Sequence, residues 1–162
     1  MRRLFPVTDQ TDETSVREWE LAELADAYAY PPGDTPWLRA NMVSTLDGAA
    51  QHDGRSQPIS NAADMRIFGT LRAVADAVVV GAETVRQEGY RPARVREAFA
   101  GRRAAAGQSV VPAIAVVSAS LNLDFSLPLF TSPPVPTLVV TGAAAPADRV
   151  AAAEKAGAVV VV

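Results

Sequence analysis

The residues best placed to do chemistry lie in Asp76-Ala-Val-Val-Val-Gly-Ala-Glu-Thr-Val-Arg-Gln-Glu88, where a strand-like run meets a glycine and then a helix-like segment. Val78, Val79 and Val80 form a β-branched run with no polar break, the pattern of a central parallel strand. Gly81 ends it. A residue without a Cβ lets the chain turn and lets a ligand approach the backbone, while the free N–H groups of the next helical turn carry partial positive charge outward. Thr84 adds a hydroxyl within reach. Such a turn can hold a phosphate or diphosphate. It can equally serve chain reversal alone, so on these residues both readings stand. A second group, Arg86, Arg91, Arg94, Arg96, Arg102 and Arg103, could neutralise a phosphate on a substrate or cofactor, or could be a solvated, mobile loop.

Composition removes much other chemistry. The chain has no cysteine, which excludes disulfides, iron–sulfur clusters, thiol nucleophiles and thiolate zinc sites. His52 is the only histidine and sits in Gly48-Ala-Ala-Gln-His-Asp-Gly54, a turn-rich stretch with no Gly-x-Ser-x-Gly nucleophile turn to serve; it reads as a solvated loop residue. A formal charge of -3 gives no basic face for duplex nucleic acid, although small anions remain open as ligands. No signal-peptide core and no membrane-length apolar run can be drawn, which makes the cytoplasm the expected location and a membrane an unexpected partner. At 162 residues and 49% hydrophobic, the chain is expected to form a single domain over 1–162 with a real core.

The elements that must position these groups follow from pattern. Residues 1–14 look loosely ordered, and Ser15-Val-Arg-Glu18 then gives a capping box for a helix carrying Trp19, Leu21, Leu24 and Tyr28, stopped at Pro31-Pro32-Gly33. Trp37 to Ser44 reads as a strand, followed by turns through Leu46-Asp-Gly48 and Asp53-Gly54. Ser60 or Asn61 caps a helix whose Met65, Phe68, Leu71, Arg72 and Ala75 recur at three and four, an apolar stripe that ends near the strand at 77 to 80. Further strands are expected at Ala113 to Ser118, Thr137 to Thr141 and Val159 to Val162, with a helix opened by Pro146. Strand and helix alternate, which argues for an α/β layer with parallel pairing. The fully apolar run at Val159 to Val162 should be a buried strand, and its position at the C-terminus predicts a domain cut short.

Taken in order, Asn41-Met-Val-Ser-Thr-Leu-Asp-Gly48, Ser56-Gln-Pro-Ile-Ser60, Leu71-Arg72 and Ala77-Val-Val-Val-Gly-Ala-Glu-Thr-Val85 resemble the reductase domain of bacterial riboflavin biosynthesis over roughly 37 to 142. The resemblance implies a dihydrofolate-reductase-like α/β fold: a mostly parallel sheet flanked by helices, binding NADPH at strand ends, in a homodimer. It also implies a reaction, the reduction of 5-amino-6-(5-phosphoribosylamino)uracil to its ribitylamino product by hydride transfer to the sugar C1′ of an open-chain imine. Such a transfer needs orientation and charge placement more than a nucleophile, which suits a chain without cysteine.

By that resemblance Asn41, Ser56, Ser60, Arg72 and Arg94 fall on the substrate side, and Asp47 stands in the turn beside the reacting centre. Gly81, Thr84, Val85, Glu88 and Ser118 fall on the cofactor side. Two of these keep a second reading: Asp47-Gly48 is a good turn pair whatever its chemistry, and Arg72 could lay its stem on apolar surface with its head in water. Pro58 stands where relatives commonly have Trp, so one flat wall of the nicotinamide pocket is expected to be missing. That departure keeps a dihydrofolate- or pterin-type reduction open, and the expected shortness of the domain keeps open a nucleotide-binding remnant without turnover. The fused zinc deaminase of many bacterial versions is impossible without cysteine.

Overall fold

The computed structural model describes residues 18–33 and 35–162. The segment expected to be loose at 1–14, and Ser15 of the expected capping box, lie outside the described residues. The first helix, α1, runs Leu21–Ala27, with Glu20 as its N-cap. The Glu20 backbone N–H donates to Glu23 Oε2 at 2.7 Å, so a carboxylate in the first turn satisfies a donor that the helix itself leaves open. The start is thus later than the Ser15 pattern predicts.

The strand expected at Trp37 to Ser44 is not formed; this segment is extended coil with Trp37, Leu38 and Met42 exposed. A strand exists through its ladder, and none of the described strands pairs with this segment. Tight turns follow. Thr45 closes a turn over Asp47-Gly48, where Gly48 has φ +86, and His52 pairs with Arg55 across Asp53 (φ +50) and Gly54 (φ +77), the positive pair that a two-residue hairpin turn of the primed type requires. A single 3₁₀ turn, Gln57–Ile59, then leads into α2 (Ala62–Val74). Asn61 is its cap: Oδ1 accepts the Asp64 N–H at 2.9 Å.

The sheet holds four parallel strands in sequence order: β1 (Ala77–Gly81), β2 (Ala113–Val117), β3 (Leu138–Val140) and β4 (Val159–Val161). The crossovers contain α3 (Ala82–Gln87) and α4 (Glu97–Ala105), then α5 (Pro128–Thr131), then α6 (Ala147–Lys155). This is the expected parallel α/β arrangement. Two details differ from the pattern. The Arg-rich stretch expected as a loop is helical at α4, with Gly101 inside it, and the proline-rich loop after β2 contains the short helix α5, opened by Pro128.

Register decides which residues are core. Val80, Val116, Val139 and Val160 lie across from one another, and this row packs against Val85 of α3, Leu129 and Phe130 of α5 and Ala153 of α6. The opposite rows, Val79-Ala115-Leu138-Val159 and Gly81-Val117-Val140-Val161, face away from that core. Val79 is 60% exposed, Val159 47%, Val117 46% and Val161 44%. The expectations of a central β1 and a fully buried β4 are therefore corrected: both are edge strands of the described sheet, covered on one face only. A second apolar cluster joins α1, α2 and α4 through Ala25, Ala73, Val74 and Phe99.

Candidate functional site

The periodic stripe of α2 divides: Ala75 at its end is buried, while most of the rest faces a cleft. The buried residues of α2 are Thr70, Ala73 and Val74. Met65, Phe68 and Arg72, three and four apart, instead line an open cleft of about 1100 Å³ between α2, the chain after α3 and the loops at 41–60. Periodicity of 3.6 shows that a helix has one apolar face; it does not say whether protein or ligand covers that face.

The cleft gathers most of the residues singled out from the sequence. Asn41, Ser56, Ser60, Arg72 and Arg94 line it, as do Thr84 and Glu88. Glu88 ties two walls together, its Oε1 accepting the Ser56 backbone N–H at 3.2 Å and the Ser56 hydroxyl at 3.5 Å. Arg72 donates to the Tyr90 hydroxyl, and its guanidinium carbon lies 5.3 Å from the Phe68 ring centre and 5.2 Å from that of Tyr90. No carboxylate among the described residues pairs with Arg72. The stem-on-surface reading is thus only half of the picture, because the head is held by a polar contact at the cleft. Arg91, Arg94 and Arg96 add positive charge to the same wall.

The turn at Gly81 is built differently from its sequence reading. Gly81 has φ −74 and ψ 149, ordinary extended backbone, and a Cβ there would meet nothing within 4 Å. The glycine is not needed for the turn; what it leaves is open space at the end of β1. No side chain caps α3, so its first N–H groups are left free of protein side chains, while Glu83 in this turn is engaged with Arg86 and, at 2.9 Å, with Gln87. Thr84 is exposed on the cleft wall. This much fits the diphosphate bridge of a dinucleotide cofactor: room beside a glycine, free amides and a hydroxyl.

Four candidates do not line the cleft: Gly81, which stands between the lining residues Val80 and Thr84, and Val85, Ser118 and Asp47. Val85 is buried in the main core. Ser118 is buried, and its hydroxyl accepts the Leu121 N–H at 3.0 Å, holding Leu121 at φ +52. Asp47 is exposed and does not line the cleft. The Thr45 hydroxyl donates to its carboxylate, and this bond, aided by the Ala49 and Asp47 backbone N–H groups, holds the Asp47 pKa below the usual carboxylate range. Pro58, within the 3₁₀ turn, is exposed and also off the cleft wall. Conversely, sequence reasoning passed over Tyr90, and named Phe68 only within the helix stripe and Arg103 only within the arginine group. Gly89 at φ +60, closing α3 with a Tyr90 N–H to Val85 carbonyl bond of 3.1 Å, is the signal that could have pointed to Tyr90.

Arg103 ties the cleft wall to the end of α2. It is 4% exposed, and its guanidinium donates to the carbonyls of Ser109 (2.7 Å), Ala73 (2.9 Å) and Ala75 (2.8 Å), closing the C-terminal end of α2. Burial pushes its pKa down, against the opposing charge of Asp76.

Comparison with known proteins agrees with this geometry. The family model of the RibD C-terminal domain matches residues 36–161. Among solved structures, a pyrimidine reductase-like protein from Corynebacterium diphtheriae is 31% identical and superposes with a TM-score of 0.65 over 73% of this chain and 51% of the other. The chain spans about half the length of that solved relative. No curated protein matches it significantly. With a cleft that gathers most of the expected residues beside an α/β sheet, and a family match over most of its length, the chain belongs to the RibD C-terminal domain family.

Proposed function

We propose that this chain carries a reductase site of riboflavin biosynthesis, in which NADPH reduces 5-amino-6-(5-phosphoribosylamino)uracil to its ribitylamino product. One observation carries the reading: a single cleft collects the substrate-side residues Asn41, Ser56, Ser60, Arg72 and Arg94 with the cofactor-side residues Thr84 and Glu88. The chemistry that NADPH would supply when bound there is a hydride for the C1′ carbon of the imine, whose nitrogen would gain a proton. The chain's own residues bind and orient. The amides after Gly81 and the Thr84 hydroxyl hold the cofactor's anionic bridge. Arg72 and Arg94 offer charge to the substrate phosphate, and Asn41, Ser56 and Ser60 offer polar partners for its base and sugar. A cytoplasmic location and a homodimer belong to the same proposal. Among the described residues, no helix is long and apolar enough to cross a membrane.

Single-turnover oxidation of NADPH, monitored with the aminopyrimidine and with dihydrofolate, tests the reading. Acceleration by the first alone supports it, acceleration by dihydrofolate transfers it to the pterin reaction, and acceleration by neither ends it. A second reading, nucleotide binding without turnover, is favoured by the position of Asp47, whose carboxylate is spent on Thr45 away from the cleft. Saturable NADPH binding with no oxidation of the cofactor would select it.

A further inference from the structure

Tyr90 is absent from every site reading of the sequence, yet it touches Arg72, a cleft arginine that no carboxylate neutralises among the described residues and whose guanidinium is instead held by a hydroxyl and two rings. Its position follows from the chain around it. Gly89, in the left-handed region at φ +60, ends α3 and turns the backbone, so that the Tyr90 N–H bonds back to the Val85 carbonyl at 3.1 Å. The ring then packs against the main core, half-buried, and the hydroxyl reaches across to α2. There it accepts a hydrogen bond from Arg72, whose guanidinium also lies against Phe68, four residues earlier on the same helix face.

We propose that Tyr90 is a positioning residue: it fixes the Arg72 guanidinium so that the donors it does not use meet the anionic group of a phosphorylated sugar in the cleft. This rests on the reductase reading above for the identity of the substrate, but not for the existence of the anion site. A free arginine side chain must lose rotamer freedom to bind an anion, a cost that a preset one avoids. The two rings within cation–π range keep the cation in place without neutralising it, as a carboxylate partner would. One Nη1 donor is spent on the hydroxyl, and the fork of a guanidinium leaves others for a bidentate contact with phosphate.

The test measures equilibrium binding of ribose 5-phosphate by the full chain and by Tyr90→Phe, which keeps the ring and loses only the hydroxyl. Binding is expected to weaken about three- to tenfold, the worth of one lost hydrogen bond. In an Arg72→Ala background, whose own binding is much weaker, the Tyr90→Phe change is expected to add nothing, because Tyr90 acts through Arg72. Thermal melts of each variant accompany the titrations, and Tyr90→Phe is expected to melt like the parent. If Tyr90→Phe binds like the parent, or weakens binding equally in both backgrounds, or if the parent does not bind ribose 5-phosphate, the proposal falls. In the turnover assay the same variant is expected to raise KM with kcat unchanged. Arg72-dependent binding without reduction of the aminopyrimidine would remove the reductase reading and leave Tyr90's role intact.

Discussion

Thr84 and Asp47 separate two kinds of polar residue that look alike in sequence. Thr84 stands on the cleft wall with its side chain exposed, so its hydroxyl is available to a ligand. Thr84→Val is expected to weaken NADPH binding by about 0.5–1.5 kcal/mol in a fluorescence titration, the loss of one hydrogen bond, and an unchanged dissociation constant would take Thr84 out of the site. Asp47 instead belongs to its own turn, where the Thr45 hydroxyl and nearby backbone N–H groups favour its charged form. A carboxyl with a depressed folded pKa contributes its stability in full above the unfolded value, near pH 4, and loses it as pH falls through the lower folded value. Thr45→Val removes the largest of these causes, so the Asp47 carboxyl resonance is expected to titrate at higher pH than in the parent. Asp124, held down in the same way by Ser126, should not move and serves as the internal control. The Asp-Gly pair was legible as a turn, but whether its carboxylate points to a cleft or to a neighbouring hydroxyl is a matter of rotamer and loop path, which residue type does not encode.

At the scale of elements, most strands were readable because a parallel strand is an apolar run bounded by breakers, and the four observed strands fall on Ala77–Gly81, Ala113–Val117, Leu138–Val140 and Val159–Val161 as expected. Trp37 to Ser44 mixes apolar and polar residues as a strand can and is coil, since a strand also needs a pairing partner and none of the described strands bonds to it, a non-local condition. Helix α2 was readable as a helix but not as a cleft wall, and its closure was not readable at all, because it depends on a side chain of α4 distant in sequence. Arg103 supplies that closure: Arg103→Ala leaves the carbonyls of Ala73, Ala75 and Ser109 without their donor, and is expected to cost roughly 3 kcal/mol in urea unfolding. Gly69 gives a change of opposite sign. A methyl there would meet the guanidinium of Arg96, the movable end of a flexible side chain, while relieving the helix of a glycine. Gly69→Ala is therefore expected to stabilise α2 by up to about 1 kcal/mol in the same assay. A loss of stability would show that Arg96 cannot move aside.

Over the whole molecule, the two faces of the sheet are chemically alike and structurally opposite. The strands carry valine on both sides, Val80, Val116 and Val139 toward the helices and Val79, Val117, Val159 and Val161 away from them, as doubly covered parallel strands do. In the described residues only the first set is covered. Burial contributes about 25 cal/mol per Å² of apolar surface removed from water, so a residue already exposed gives little to folding, whereas one at the centre of the packed row gives its full share plus the cost of a cavity. Val116→Ala, with no exposed surface at that position, is expected to lower stability by about 1–3 kcal/mol. The pair Val79→Thr and Val117→Thr keeps β-branching and strand propensity while making the open face polar, and is expected to leave the melting temperature of the isolated chain within about 2 °C of the parent. Contiguous exposed apolar surface promotes association, so light scattering at high protein concentration should fall in the same double variant. A large drop in melting temperature on Val79→Thr and Val117→Thr would mean that this face is covered in solution after all, and the opposition between the two valine rows would have to be abandoned.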